Sequence, residues 1–179
     1  MKRILLGRLM ISLLAVATSD PAAAQMVTMS EARTVAQNWV SLVIAAKSNW
    51  NHQPTATVAE VKELTGNGRL VGFVCSVQPS GYVLVSLHKA LQPVRAYSVE
   101  GTLDTDLVTG MPGFLRAMMF GTLSALEQAA GPIASAKSKD LQPYLELNHQ
   151  SAWQELTRAA GDYRRSLKAN PLAANYATG

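Results

Sequence analysis

Residues 80–101 read SGYVLVSLHKALQPVRAYSVEG. The run from Tyr82 to Leu87 has the β-branched and aromatic make-up of a strand, and a second strand over 94–99 follows Pro93 and closes on Gly101. Working back, LVGFVCSV (residues 70–77) alternates, with Val71, Phe73, Cys75 and Val77 on one face and Leu70, Gly72, Val74 and Ser76 on the other. Pro79, Ser80 and Gly81 supply a tight hairpin between these runs. If Val77 pairs near Tyr82 across it, His88 falls opposite Val71. Further back, Val58, Val61 and Leu64 mark a strand over 57–65, followed by Gly66, Asn67 and Gly68, a turn that tolerates left-handed backbone. Four strands joined by short connections predict an antiparallel meander.

The meander needs a cover for its apolar face, and the segment before it supplies one. Thr28 followed by Glu31 is a capping-box pattern, and Val35, Trp39, Leu42, Val43 and Ala46 recur at helical spacing as far as Lys47. Trp39 is read as core. SNWNHQPT, residues 48–55, is rich in breakers and reads as a loop. The fold class is therefore α+β, an antiparallel meander of about four strands packed against an N-terminal helix, with additional C-terminal helices.

Those helices come after the polar run TLDTD at 102–106. One starts near Pro112 and carries Phe114, Leu115, Met118, Met119, Leu123 and Leu126, read as a core-packing face although methionine-rich faces also suit partner binding. Gly131 and Pro132 end it. SAKSKD at 135–140 reads as a linker. A last helix over 151–168 carries Trp153, Leu156, Ala160, Tyr163 and Leu167, ahead of a frayed tail.

Gly81, Val83, Val85, Ser86, Pro93, Val94, Tyr97, Ser98 and Gly101, with LVGFVCSV and the helical SEARTVAQNWV at 30–40, carry a family likeness. In these positions the chain resembles the amino-terminal propeptide of streptopain-type (C10 family) cysteine peptidases, whose fold is shared with their small dedicated inhibitors. The likeness runs over about 30–126. It implies inhibition rather than catalysis: a module that docks on a papain-like catalytic domain and covers its substrate cleft. The sequence departs from the family at Leu87, His88 and Lys89, where small and acidic residues are typical. Nothing after Trp153 matches the start of a catalytic domain, so the expectation is a free-standing inhibitor or folding assistant. The alternative is a secreted non-catalytic interaction or structural module, a remnant of a peptidase precursor.

Composition is consistent with export. Lys2, Arg3 and Arg8, the apolar run from Leu9 to Ala17 and the Ala22-Ala23-Ala24 site read as a signal peptide over 1–24, cleaved before Gln25. Its apolar core is too short to span a bilayer, so no stable membrane anchor is expected after cleavage. The leader also holds half of the excess charge in the formal +4. With no polybasic run in the remainder, nucleic acid is not an expected partner. The organisation read from sequence is a secreted or periplasmic inhibitor-like domain over 25–130, then a linker and C-terminal helix over 131–179.

Reactive chemistry finds little to work with. The chain has one cysteine, Cys75, inside an apolar strand where burial raises a thiol's pKa, and three histidines that no spacing ties to it. A structural Cys75 is the reading. The histidines and cysteine lack zinc-ligand spacing, there is no Asp-rich calcium loop, and the glycines lack a phosphate-loop pattern, so no catalytic residue, metal or cofactor is assigned. Asp104 and Asp106 are read as turn residues. With one sheet face covered by a helix, the other face and the hairpin loops remain for a partner. The candidate contact edges are 66–69 and 78–82, with Asn67 and Tyr82 leading and Gly66, Gly68 and Ser80 beside them. The expected partner is a cysteine peptidase catalytic domain.

Overall fold

The computed structural model describes residues 25–169. The signal peptide read at 1–24 and the end of the tail, 170–179, lie outside the described residues. Helix α1 (Met29–Lys47) is followed by strands β1 (Thr57–Gly66), β2 (Arg69–Gln78), β3 (Tyr82–Ser86) and β4 (Val94–Ser98). The strands form one antiparallel sheet in sequential order. Helices α2 (Gly110–Ala130), α3 (Ser138–Leu141), α4 (Gln150–Leu156) and α5 (Ala160–Ala169) complete the chain.

The cap of α1 forms as its sequence requires. Thr28 Oγ1 accepts from Glu31 N–H at 3.2 Å, and Glu31 Oε2 accepts from Thr28 N–H at 2.9 Å. Ala32, Val35, Ala36, Val40 and Val43 are fully buried along the helix. Trp39 packs on the core's margin, edge-on to Tyr97 of β4 with ring centroids 5.4 Å apart.

Strand β1 buries every third residue, Val58, Val61 and Leu64, a period that no regular strand supports. The irregularities between Val58 and Glu60 and between Leu64 and Thr65 explain it. With a bulge between them, Val58 pairs with Val77 and Val61 with Cys75, so both share one face. Leu64 pairs with Gly72 and faces the other way.

Both faces of β2 are covered, which corrects the expectation of a free second face. Cys75 Sγ donates to the Ala32 carbonyl of α1 at 3.6 Å, placing α1 on one side. On the other, a β-carbon at Gly72 would overlap the Met119 methyl of α2, so glycine here permits close helix–sheet packing. Val71, Phe73, Val74 and Cys75 are consequently all buried.

The β2–β3 register also differs from the sequence expectation by one residue. Ser76 pairs with Tyr82 and Gly72 with Ser86, because the turn closes between Val77 N–H and the Gly81 carbonyl at 2.9 Å rather than at Tyr82. His88 then lies beyond the ladder, not opposite Val71, and bridges Met26 instead.

Two further corrections concern the C-terminal third. The stretch read as a linker contains α3, with Ile133, Ala136 and Leu141 buried and Ser138 bonded to the Gln25 side chain. The helix read as continuous over 151–168 breaks after Leu156. Asn38 of α1 donates Nδ2 to the Leu156 carbonyl at 2.9 Å and to the Arg158 carbonyl at 2.8 Å. Leu156 is the acceptor that a continuous helix would give to the Ala160 N–H, so a partner from α1 stands in for helical continuation. Trp153, Leu156, Tyr163 and Leu167 join the same buried cluster as the sheet.

Candidate functional site

The two loops singled out from sequence lie at opposite ends of the sheet. Strand β2 separates them with ten residues, a span of about 30 Å at roughly 3.3 Å per residue. They cannot act as one edge, and their construction differs.

The loop at 78–82 is fastened from beneath. Trp50, fully buried in what the sequence shows only as a breaker-rich loop, donates Nε1–H to the Ser80 carbonyl at 2.8 Å. Ser80 Oγ accepts from Asn51 at 2.7 Å and donates to the Val99 carbonyl at 2.8 Å. Gly81 N–H donates to the Gly101 carbonyl at 2.8 Å, and at its positive φ of 97° a β-carbon would overlap the Ser98 carbonyl. Tyr82 is half-buried, and desolvation raises its phenol pKa. Ser80 thus has its polar atoms committed inside the chain.

The loop at 66–69 is open. Asn67 and Gly68 occupy left-handed backbone (φ 51° and 77°) between the paired Gly66 and Arg69, the geometry of a two-residue hairpin turn. Both are exposed. Gly66, Asn67 and Gly68 form one wall of an open groove of about 640 Å³, whose other walls come from Asp106, Val108, Arg116 and Phe120. Arg69, which follows the turn, forms a bidentate pair with Glu127 of α2, at 2.5 and 2.8 Å. The guanidinium, outweighing partial burial, holds the Glu127 carboxyl below its ordinary pKa.

Beside the groove is a feature that the sequence reading missed. Leu107, Val108, Met111 and Phe114 are exposed at 51%, 76%, 57% and 63% of their surfaces. Phe114 was expected in the core, but the buried stripe of α2 is Leu115, Met119, Leu123 and Leu126. The spacing of that stripe leaves Phe114 about 100° beyond its Leu115 edge around the helix, a signal present in the sequence. Arg116 pins the strap below, donating to the Leu107 carbonyl at 2.9 Å and to the Thr105 carbonyl at 2.5 Å. Asp104 Oδ1 accepts from Asp106 N–H at 2.9 Å, the turn role expected of that pair.

The nucleophile candidates stay apart. Cys75 is fully buried, and burial, opposed only weakly by the Arg33 charge, pushes its thiol up to about 12. His88, also fully buried, accepts at Nδ1 from Ala90 N–H at 3.1 Å, which leaves Nε2 protonated toward the Ala136 carbonyl at 3.3 Å. Burial lowers its pKa, the Ala136 bond opposes, and Lys89 lowers it further. His52 lies exposed in the loop after α1, and His149 precedes α4 near Arg95. Among the described residues, no group of three or more His, Cys, Asp or Glu side chains is arranged to hold a metal, and no helix is long and apolar enough to cross a membrane.

The sheet thus has helices packed on it, its thiol buried, and four of the seven exposed large hydrophobic residues among those described fall between 107 and 114. Residues 24–119 match the family model described as Spi protease inhibitor, and this chain belongs to that family. No curated protein matches it, and no solved structure does.

Proposed function

We propose that this protein is an exported inhibitor, or folding assistant, of a streptopain-type, papain-like cysteine peptidase, and that it works by covering the enzyme's substrate cleft. The observation that carries this reading is the match of residues 24–119 to the protease-inhibitor family. The cysteine-peptidase target rests on the likeness at Gly81, Val83, Val85, Ser86, Pro93, Val94, Tyr97, Ser98 and Gly101. Export to the periplasm or the medium rests on the leader-like composition of residues 1–24.

Such a role needs no reactive group, only a stable surface presented without much ordering cost. Two features supply that stability: the two-sided cover of β2 and the internal fastening of the 78–82 loop. At Leu87, His88 and Lys89, where the sequence departs from the streptopain pattern, the chain holds itself together. Val27 N–H donates to the Leu87 carbonyl at 2.8 Å, Lys89 N–H to the Gln25 carbonyl at 2.9 Å, and Lys89 pairs with Glu31 at 2.6 Å.

The test is to mix the purified protein with a streptopain-type catalytic domain and, separately, with papain, and to follow hydrolysis of a peptide substrate at several substrate concentrations. Stoichiometric inhibition relieved by substrate supports cleft occlusion. Full activity of both enzymes at a large excess of this protein would leave a non-catalytic interaction module as the reading.

A further inference from the structure

We propose that the apolar shelf formed by Leu107, Val108, Met111 and Phe114, with the groove beneath the Asn67–Gly68 turn, is the face that meets the target peptidase. It receives an enzyme segment that carries an apolar side chain next to a lysine or arginine. This deepens the inhibitor reading and rests on it.

Seven large hydrophobic residues of the described chain are exposed, and four of them fall within eight consecutive positions. Scattered exposed apolar residues need no explanation, whereas a contiguous set marks an interaction surface. The strap that bears Leu107 and Val108 is also held rigid. Arg116 spends its guanidinium on the Leu107 and Thr105 carbonyls, and Gly113 lets the first turn of α2 close against the Val108 carbonyl, where a β-carbon would overlap it. An exposed apolar segment fixed in this way binds with little conformational entropy left to lose.

Charge chooses the kind of occupant. Asp106 lines the groove and Asp104 stands next to it in the same turn, its Oδ1 accepting from the Asp106 N–H at 2.9 Å, and neither belongs to an ion pair among the described residues. Arg116 offsets one of these two charges, so the shelf is flanked by net negative charge and an incoming cation beside an apolar group is complemented on both counts. The shelf and all of the groove's lining except Phe120 lie inside the family-matched segment. Tyr144 and Leu147, similarly exposed, lie outside it.

The experiment compares inhibition constants against a streptopain-type catalytic domain for the wild-type protein, the double variant Val108→Ser/Phe114→Ser, the single variant Asp106→Lys, and the control Tyr144→Ser/Leu147→Ser. Both serines enter at exposed positions, so thermal unfolding stays at the wild-type midpoint. The double variant is expected to inhibit at least about 30-fold more weakly, from the loss of two apolar anchors. Asp106→Lys is expected to weaken inhibition about 5-fold, an effect that shrinks with added salt. The control inhibits as the wild type does. Wild-type inhibition with an unchanged double variant overturns the shelf while leaving the inhibitor reading intact. The same holds if sedimentation shows that the shelf instead joins two copies of this chain, with the double variant monomeric and fully inhibitory. A wild-type protein that inhibits neither this enzyme nor papain overturns the reading and the shelf together.

Discussion

The indole N–H of Trp50 donates to the Ser80 carbonyl across 30 residues of sequence, and this one bond ties the loop after α1 to the β2–β3 turn. Trp50→Phe keeps most of the buried ring and deletes the donor, leaving the carbonyl unpaired. The expected cost is about 1–2 kcal/mol in urea unfolding, with faster amide exchange at Gly81. Trp50→Ala adds a cavity at a fully buried site, for a total of about 3–5 kcal/mol.

Asn38→Leu tests what divides α4 from α5. The variant removes the donor to both the Leu156 and Arg158 carbonyls, of which the first is buried and the second partly so. A loss of about 2–3 kcal/mol is expected, together with proteolytic cleavage near 157–159 under conditions where the wild-type chain stays whole. Resistance to cleavage equal to wild type would show that apolar packing alone docks the two helices.

How far the sequence carries can be read from these same residues. Gly81, Ser86, Ser98 and Gly101, which bear the streptopain likeness, prove to be framework. Ser86 Oγ donates to the Gln92 carbonyl at 2.6 Å, Ser98 Oγ to the Glu100 carbonyl at 2.8 Å, and Gly101 holds a φ of 68°. That motif specifies local turns and close approaches, so α1, the four strands and their order are legible from it and from simple periodicity. Partnerships set by tertiary contact are not. Asn38 gives no local hint that it will interrupt a helix 118 residues away, and the one-residue register difference at the β2–β3 turn depends on the loop closing at Gly81. The candidate surface was partly legible: Asn67 lies on the groove, while the shelf at 107–114 was hidden behind the habit of counting every apolar helix residue as core.

His88 makes stability depend on pH. Its folded pKa lies below the ordinary 6.5, chiefly through burial, so the unfolded chain takes up a proton before the folded one does. Stability is then fully present above about pH 6.5 and declines as pH falls through that value toward the depressed folded pKa. His149 is shifted the same way and contributes in the same window, whereas the depressed Glu31 and Glu127 act below pH 4.5. Urea unfolding of wild type and His88→Gln at pH 7.5, 6.5 and 5.5 separates the two histidines. The variant's curve should be visibly flatter, and parallel curves would assign the effect elsewhere.

Cys75, with its thiol pushed up to about 12 and closed off from solvent, should resist alkylation. Iodoacetamide at pH 8 is expected to leave the folded chain unmodified over hours and to label it within minutes in 6 M guanidinium chloride. Cys75→Ala should cost no more than about 1–2 kcal/mol for a small cavity and leave peptidase inhibition at the wild-type value. Inhibition abolished by this substitution in a folded protein would mean that the thiol has a role beyond packing.

Gly113 separates folding from binding. Alanine is the better helix former by up to about 1 kcal/mol, yet its β-carbon at 113 overlaps the Val108 carbonyl. The overlap is with backbone of a strap that Arg116 holds in place, so the local strain exceeds the propensity gain and the unfolding midpoint falls modestly while the fold is kept. What moves is the shelf, and inhibition of a streptopain-type enzyme should weaken about 5- to 10-fold as the preorganised arrangement of Leu107 and Val108 is lost. Gly121→Ala, in the same helix with open space around the added carbon, should stabilise by about 0.5–1 kcal/mol and leave inhibition unaltered. If Gly113→Ala inhibits as well as Gly121→Ala does, the position of the strap is irrelevant to the partner and the contact surface lies on another face.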